Sequence, residues 1–421
     1  MFQKFRTFTA VFVLACSPLA LAGNSFADPL FKSAGKSVAA KLKTDATVAR
    51  QQLVTVNGGL LWRLRAAGKA TAPALSTLDV ELFDGRLATL ALTGSSRNPD
   101  GTVVWTATAG SDGYAALSIA GDKVVGVIES GGKTYMIDPA EDGSHVLREI
   151  KPSSFKRDKH IKRPAVSGLL PTVTSQALAE ARSTQTFVDL LAAYTSDAEA
   201  HLTAGGATMA QVVDRDIAIV NRGMTSSGIP ITIRRAGLKA VSSTYNENTA
   251  DVVKPLYDLT SGTNANFASI RNERNFVSAD LVTLYVLQRP QNYCGVAWVN
   301  VPTPVSQYGF AVVDAACAGS VALAHELGHA MGLNHDRYVS SNATQANNYG
   351  FVSVTGNFRD IMSYPNKCYD RLNRDCALKV YYSSPNKIIN GRRAGRSSDK
   401  PNPANATRWL KRKRDIISGF R

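Results

Sequence analysis

The stretch that decides the fold is HELGHAMGLNHD, residues 325–336. It holds three of the six histidines in a chain of 421 residues, so these side chains are concentrated at one place. His325 and His329 are four residues apart and would share one face of a helix, about one turn apart. Two imidazoles in that arrangement can bind one metal ion, so the stretch predicts a metal-binding helix.

The residues around this pair complete a catalytic pattern. Gly332 readily adopts the left-handed conformation that ends a helix, and the turn would return His335 to the metal as a third ligand. Three histidines leave a fourth position for water, which is typical of a catalytic rather than a structural zinc ion. Glu326 is the predicted general base for that water. The alternative is an alanine-rich buried helix with two hydrogen-bonded histidines.

The pattern HExxHxxGxxH, followed by Asp336, resembles the extended zinc motif of the metzincin metalloproteases. The resemblance implies one catalytic Zn²⁺ bound by His325, His329 and His335, and it leaves Ca²⁺ undecided. It also implies that Met362, in the segment IMSYP at 361–365, forms the methionine turn beneath the zinc.

Two further residues narrow the resemblance. Asp336 resembles the reprolysin branch, where its role would be to hold the turn through hydrogen bonds. Tyr364 resembles a tyrosine that contacts the zinc or the developing oxyanion in some branches, the alternative being simple packing. Together with a bacterial-type signal, the chain most resembles bacterial peptidyl-Asp metallopeptidases. That resemblance implies cleavage on the amino side of Asp, with a cation in the pocket; nearby candidates are Lys367, Arg371 and Arg374.

The formal net charge is +15 and the pI is about 9.6, which raises the question of nucleic-acid binding. The basic residues concentrate near 156–163, 392–396 and 411–414. Runs of this kind are usually solvated faces, and no nucleic-acid-binding motif accompanies them. No nucleic-acid partner is therefore expected, although a cell-surface binder that uses the basic tail is an alternative.

Residues 1–27 are typical of an export signal, with Lys4 and Arg6 before a short apolar core and cleavage after Ala22 or Ala27. Lipid attachment at Cys16 is the alternative. No other segment is long and apolar enough to cross a membrane. The mature protein is expected to be secreted or periplasmic, of bacterial origin and monomeric.

Removal of the signal leaves four cysteines, an even number that indicates two disulfides in an exported protein. Three pairings are possible. The expected pairing is Cys294 with Cys317 and Cys368 with Cys376, because each closes a modest loop.

Residues 28–150 are predicted to form an all-β propeptide, after a weakly helical start near 28–52. Short strands, from one at 54–62 onward, alternate with turn pairs such as Asn57-Gly58 and Asp84-Gly85. A permanent accessory domain is the alternative. The region contains no cysteine, so a thiolate cannot block the zinc. Blockage by Asp138 or His145 has little support, and both side chains are expected to lie at the surface.

Residues 151–182 form a basic, proline-marked linker that predicts a processing site. Residues 183–421 are predicted to form an α/β (α+β) catalytic domain with a mixed sheet and an active-site helix, which the resemblance identifies as metzincin-like. The segment 281–287 is expected to be central. The segment 295–298 is expected to be the antiparallel edge strand to which a substrate adds, and Trp298 either serves that edge or simply packs.

The predicted function is a secreted zinc metalloendopeptidase made as a zymogen, with its own propeptide as inhibitor. Its substrates would be proteins or peptides, cut by zinc-activated water with Glu326 as the base. The alternative is a secreted binding or adhesion protein that retains zinc without protease activity; an intact Glu326 argues against it.

Overall fold

The structure, a computed structural model, describes residues 28–35, 47–66, 75–111, 113–151, 159–162, 164, 185–248, 253–289, 293–340 and 346–421. The expected signal peptide and most of the expected linker lie outside these residues. The described chain forms a sheet of nine strands, a sheet of six strands and two small sheets. None of the described helices is both long and apolar enough to span a bilayer.

The first sheet is built from β1 (Phe31–Ser33), β2 (Val48–Val56), β3 (Thr77–Glu81), β4 (Leu87–Arg97), β5 (Val103–Ala109), β6 (Gly113–Ala120), β7 (Lys123–Ser130), β8 (Lys133–Pro139) and β9 (His145–Ile150). All neighbours are antiparallel, in the order β1-β2-β9-β8-β7-β6-β5-β4-β3. The sheet curls around one apolar core, and Leu30 N donates to Asp79 O at 2.7 Å to join its two ends. The expected helical start over 28–52 is wrong where the structure describes it, because β1 and β2 are strands, and residues 36–46 lie outside the described residues.

Helix α1 (Gly58–Arg65) is a second correction, because the sequence predicted a strand over 54–62. The Asn57 side chain accepts hydrogen bonds from the backbone N–H groups of Gly59 and Leu60, both at 3.1 Å. Asn57 therefore caps a helix instead of forming a hairpin turn. Leu60 is buried in the core of the sheet, which holds the helix in place.

The second sheet is built from β10 (Lys159–Lys162), β11 (Thr186–Tyr194), β12 (Ile231–Ala240), β13 (Leu281–Val286), β14 (Gly295–Val299) and β15 (Phe310–Asp314). Their order is β10-β14-β15-β13-β11-β12. Strands β11, β12, β13 and β15 run parallel to one another, whereas β14 is antiparallel to β15. The interior position of 281–287 and the antiparallel orientation of 295–298 are confirmed. However, 295–298 is not the edge strand of this sheet, because β10 pairs with the outer side of β14.

The α-helices of this half are α2 (Ser196–Leu202), α3 (Met209–Ser226), α4 (Lys254–Thr260), α5 (Ala268–Phe276), α6 (Ala322–Ala330), α7 (Asn366–Leu372) and α8 (Ala406–Ile417). The small sheets contain β16 (Val352–Ser353), β17 (Phe358–Arg359), β18 (Ala377–Leu378), β19 (Ser384–Ile389) and β20 (Arg392–Ala394). Both disulfides form with the expected pairing. One joins the residue before β14 to the turn that precedes α6. The other joins α7 to the residue before β18.

The nine-stranded sheet packs against α3. Tyr114 and Val127 of the sheet contact Ala218 and Ile219 of the helix in a small apolar cluster. Polar contacts surround this cluster: Asn98 with Asp214 at 2.7 Å, Asp100 with Arg235 at 2.6 Å, the Lys123 carbonyl with Gln211 at 2.9 Å, and Asp138 with Arg215 at 3.4 Å. A small apolar centre with many polar partners is typical of an interface that can separate rather than of a shared core.

Candidate active site

Helix α6 carries the first two predicted metal ligands. His325 and His329 lie one turn apart, and every residue of the helix is buried. The helix packs along β14, since the Asn300 backbone N–H donates to the His329 carbonyl at 3.1 Å and the Asn300 side chain donates to the Ala330 carbonyl at 3.1 Å. The end of β14 therefore fixes the end of the helix.

The turn after α6 brings in the third histidine. Gly332 has a φ of +92°, a conformation that other residues rarely adopt. The backbone N–H of Leu333 donates to the Gly328 carbonyl at 2.8 Å, which satisfies one of the last carbonyls of the helix. His335 follows two residues later and is 3 % exposed. The glycine thus has the turn-forming role that the sequence predicts.

The three histidines converge on one point through their Nε2 atoms. The Nε2 atoms of His325 and His329 are 3.1 Å apart, those of His329 and His335 are 2.9 Å apart, and those of His335 and His325 are 3.2 Å apart. Tetrahedral zinc, with Zn–N bonds of about 2.0–2.1 Å, separates its nitrogens by about 3.3 Å. The arrangement therefore fits a zinc ion bound by three imidazoles, and these residues are positioned to bind a metal.

Backbone carbonyls set the orientation of two of these rings. Nδ1 of His325 lies 2.7 Å from the Ile361 carbonyl, and Nδ1 of His329 lies 2.8 Å from the Leu333 carbonyl. A carbonyl can only accept, so Nδ1 carries the proton and Nε2 presents its lone pair. Both rings are thus held in the tautomer that binds a metal.

Glu326 is buried beside this cluster and packs against Gly295, the first residue of β14. A Cβ atom on Gly295 would lie 2.6 Å from Cγ and 2.6 Å from Oε1 of Glu326. The carboxylate therefore occupies space that only a glycine at this position leaves open. The sequence identified Glu326 from its motif, whereas the role of Gly295 appears only when the strand and the helix are brought together.

Met362 is fully buried and packs against the backbone of α6. A Cβ on Gly328 would lie 2.5 Å from its sulfur, so the thioether contacts the helix between the first two histidines. The neighbouring Ile361 carbonyl is the group that orients His325. The segment after Met362 is therefore positioned by the same helix that carries the metal ligands.

Asp336 connects the turn after the third histidine to the methionine segment. One carboxylate oxygen accepts from the backbone N–H of Tyr338 and the other from that of Tyr364, both at 2.9 Å. Burial raises the pKa of this carboxyl to about 6. The Tyr364 ring lies 4.5 Å from the His335 ring and 6.1 Å from the His325 ring, measured between centroids. Asp336 thus places Tyr364 beside the metal ligands.

A cleft of about 490 Å³ opens next to His325 and Glu326. The cleft is lined by Cys294 and residues just before and within α6, and by Tyr364, Pro365 and the segment 375–380. Side chains of the nine-stranded sheet, among them Tyr114 and Glu129, also line it.

Strand β10 pairs with β14 in parallel, from Lys159 opposite Val296 to Lys162 opposite Val299. It covers the edge at which an extended substrate would add. Trp298 is buried there, and its indole N–H donates to Thr260 Oγ1 at 2.9 Å. The packing alternative for Trp298 is therefore the one that the structure favours.

Several residues considered from the sequence lie away from the histidines. Asp138 forms ion pairs with Arg148 and Arg215, at 2.6 and 3.4 Å, and so belongs to the interface with α3. Arg371 and Arg374 are exposed and, like Lys367, are not among the residues that line the cleft. The cations that do line it, Arg359 and Lys379, were missed, and only their closeness to the Cys368–Cys376 loop hinted at them.

His145 is also remote from the cluster and is fully buried within the nine-stranded sheet, so the surface placement considered more probable from the sequence was wrong. Its Nε2 accepts from the backbone N–H of Val124 at 2.9 Å, which requires a neutral ring nitrogen.

Burial lowers the pKa of His145 to about 4, against about 6.5 in an unfolded chain. The unfolded chain therefore gains a proton between pH 6.5 and 4 that the folded sheet does not accept. The stabilisation is complete above pH 6.5 and is lost as the pH falls towards 4. We expect Tm to fall more steeply over this range in the wild-type chain than in His145→Gln, measured by thermal unfolding. Equal slopes would contradict this explanation.

Comparisons of the sequence with known proteins agree with the geometry of the site. The profile of the family described as Metallo-peptidase family M12B Reprolysin-like matches residues 184–390. A peptidyl-Asp metalloendopeptidase from Xanthomonas campestris is 28 % identical over 386 residues, covering 86 % of this chain and 84 % of the relative. One from Stenotrophomonas maltophilia is 28 % identical over 342 residues, covering 78 % of this chain and 76 % of the relative. A solved structure titled "Structure of a chaperone-substrate complex" has a TM-score of 0.43 and 17 % identity, covering 70 % of this chain and 39 % of that chain.

Residues 184–390 belong to the reprolysin-like metallopeptidase family, and the chain is similar over most of its length to bacterial peptidyl-Asp metalloendopeptidases. Protein or peptide substrates and a zinc ion follow from this assignment, and the three histidines are positioned to hold the metal.

Proposed function

We propose that this metalloendopeptidase is an exported zymogen that uses Glu326 as its general base and prefers Asp after the cut. The observation that carries the proposal is the convergence of three histidine Nε2 atoms within 3.2 Å of one another, with the Glu326 carboxylate buried beside them. Export is supported by the signal-like residues 1–27. The preference is supported by what the relatives are called.

The chemistry divides between the metal and the chain. A bound zinc ion would lower the pKa of a water ligand and polarise the carbonyl of the bond to be cut. Glu326 accepts the proton of the attacking water and delivers it to the leaving amine. Gly295 has no Cβ atom and therefore leaves the space that the Glu326 carboxylate occupies. Tyr364 lies beside His335 and is the candidate donor to the developing oxyanion.

The direction of the substrate follows from β14. Extended peptides commonly add to a sheet edge as a further strand. If the substrate runs antiparallel to β14, its carboxyl-terminal half lies towards Gly295, the start of the strand. Gly295 adjoins Glu326, and Cys294 lines the cleft. The residue that follows the cut therefore points to this cleft.

Latency is supported by two contacts. Strand β10 covers the same edge of β14 and runs parallel to it, opposite to the direction assigned to the substrate. A segment in this reversed direction occupies the site without presenting a bond in the orientation for hydrolysis. The nine-stranded sheet also lines the cleft beside His325. Both obstacles would leave together after cleavage between residues 162 and 186 and separation from α3.

The intact chain is therefore expected to be at least about 100-fold less active on casein than the processed chain. The comparison requires the secreted protein before and after linker cleavage, with the new N-terminus determined by sequencing. Glu326→Gln, which would not process itself, serves as the control for contaminating proteases. Equal activity of the intact and processed forms would rule out latency but would leave the protease assignment standing.

A further inference from the structure

The cleft beside the histidine cluster has a basic wall. Among the described residues that line it, Arg359 and Lys379 are the ones with lysine or arginine side chains. They are neighbours, because the backbone N–H of Lys379 donates to the carbonyl of Arg359 at 2.9 Å. The two cations have different surroundings, and this difference suggests different roles.

Arg359 has a structural role, because it joins two segments that line the cleft. Its Nε and Nη2 donate to the two carboxylate oxygens of Asp375, at 3.0 and 3.1 Å, and its Nη1 donates to the Ser363 carbonyl at 3.1 Å. These bonds neutralise the guanidinium and join the methionine segment to the Cys368–Cys376 loop. Arg359 is 9 % exposed, so this arrangement is fixed. Its charge is already compensated within the wall.

Lys379 is anchored by its backbone and has a long side chain. Its carbonyl accepts from the backbone N–H of Tyr381 at 2.8 Å, in addition to its own bond to Arg359. The residue is partly buried and lines both the cleft and the adjoining groove against the nine-stranded sheet. A flexible ammonium on a fixed backbone suits a carboxylate that arrives with a substrate.

Glu129, a carboxylate of the nine-stranded sheet, lines the cleft together with Lys379. Glu129, at the carboxyl end of β7, is 9 % exposed and lines the same cleft and the same groove as Lys379. An acidic side chain is rarely buried unless it has a partner. The intact protein thus brings an acidic group from the nine-stranded sheet to the basic wall of the cleft.

We propose that Lys379 determines specificity by receiving the acidic side chain of the residue after the cut, and that Glu129 occupies this subsite in the intact chain. The inference rests on the proposed function. The antiparallel substrate direction places that residue at the cleft, and Lys379 supplies the charge. Cleavage of the linker would remove Glu129 with the nine-stranded sheet and open the subsite.

The first test compares processed enzymes on paired peptides that differ only in Asp or Asn after the cut. Wild type should cleave the Asp peptide faster than the Asn peptide. In Lys379→Met the Asp-to-Asn ratio of kcat/KM should be at least about tenfold lower, which is the scale of a charge-assisted hydrogen bond. Lys379→Arg should retain most of the ratio. Arg371→Gln, an exposed cation outside the cleft, is the matched control.

The possible outcomes distinguish the specificity proposed for Lys379 from the proposed protease function. An Asp-to-Asn ratio that is unchanged in Lys379→Met would overturn the inference, and so would a wild-type enzyme that cleaves both peptides at equal rates. In either case the protease assignment would survive. Absence of cleavage by wild-type, zinc-loaded enzyme would instead count against the proposed function.

The second test concerns the intact chain, in the Glu326→Gln background so that it cannot process itself. Glu129→Gln and Lys379→Met should each lower Tm, and the double variant should lower it by less than the sum. Glu129→Gln combined with Arg371→Gln should be additive. Additive shifts for the Glu129 and Lys379 pair would show that Glu129 does not occupy the subsite.

Discussion

Replacing Glu326 with glutamine is expected to lower casein hydrolysis at least about 100-fold without changing the zinc content, when the linker of both enzymes has been cleaved by an added protease that is then removed. A positioned general base contributes roughly 10²–10⁴ to such reactions. Glutamine has nearly the same shape but cannot accept the proton. Since Glu326 lies beside the histidine cluster and is 1 % exposed, the substitution should leave the ligands and the packing intact. The measurement is initial rate per mole of bound zinc.

Two controls make this result interpretable. Zinc analysis shows whether the metal site survives, and Tm shows whether the fold survives. Glu273→Gln is a suitable matched variant, because Glu273 is a carboxylate of the same half of the chain and pairs with Lys239 at 3.3 Å, away from the cleft. A Glu326→Gln enzyme that retained full zinc and full activity would eliminate Glu326 as the base.

Replacing Gly295 with alanine is expected to reduce kcat roughly 10- to 100-fold even though no catalytic group is removed. The added Cβ would lie 2.6 Å from Oε1 and 2.8 Å from Cδ of Glu326, so the carboxylate must move. A displacement of about 1 Å in a catalytic group can cost about 10²-fold. Peptide hydrolysis under saturating substrate measures the effect.

A double variant tests whether this loss acts through Glu326. If Gly295→Ala only displaces the carboxylate, it should reduce activity little further in the Glu326→Gln background, because no base remains to be misplaced. Multiplicative losses would instead mean that Gly295 acts independently, for example through the substrate edge of β14.

The sequence predicts how the three histidines come together because the determinants of that arrangement are local. His325 and His329 are related by helical spacing alone, and Gly332 indicates a left-handed turn from residue type alone. Cysteine spacing gave the right disulfide pairing for a similar reason, since both loops are short. Each of these predictions requires only a few neighbouring residues.

Other features depend on contacts between distant segments, and the sequence does not reveal them. Gly295 is 31 positions before Glu326, and nothing in its neighbourhood indicates that a carboxylate fills its space. Asparagine is common both in hairpin turns and at the N-terminal cap of a helix, so Asn57 does not distinguish the two. Only the burial of Leu60 in the sheet core favours the helix cap. Lys379 was missed because its closeness to the cleft results from the pairing of β17 with β18.

Proteolysis is expected to depend on one zinc ion held by His325, His329 and His335. The most direct measurement is the zinc content of the processed enzyme and its casein activity, determined on one preparation before chelation, after chelation and after zinc is returned. We expect one zinc ion per chain, loss of activity when the metal is removed, and recovery of both on zinc addition, with no recovery in His335→Ala. Full activity in protein that contains no zinc would contradict it.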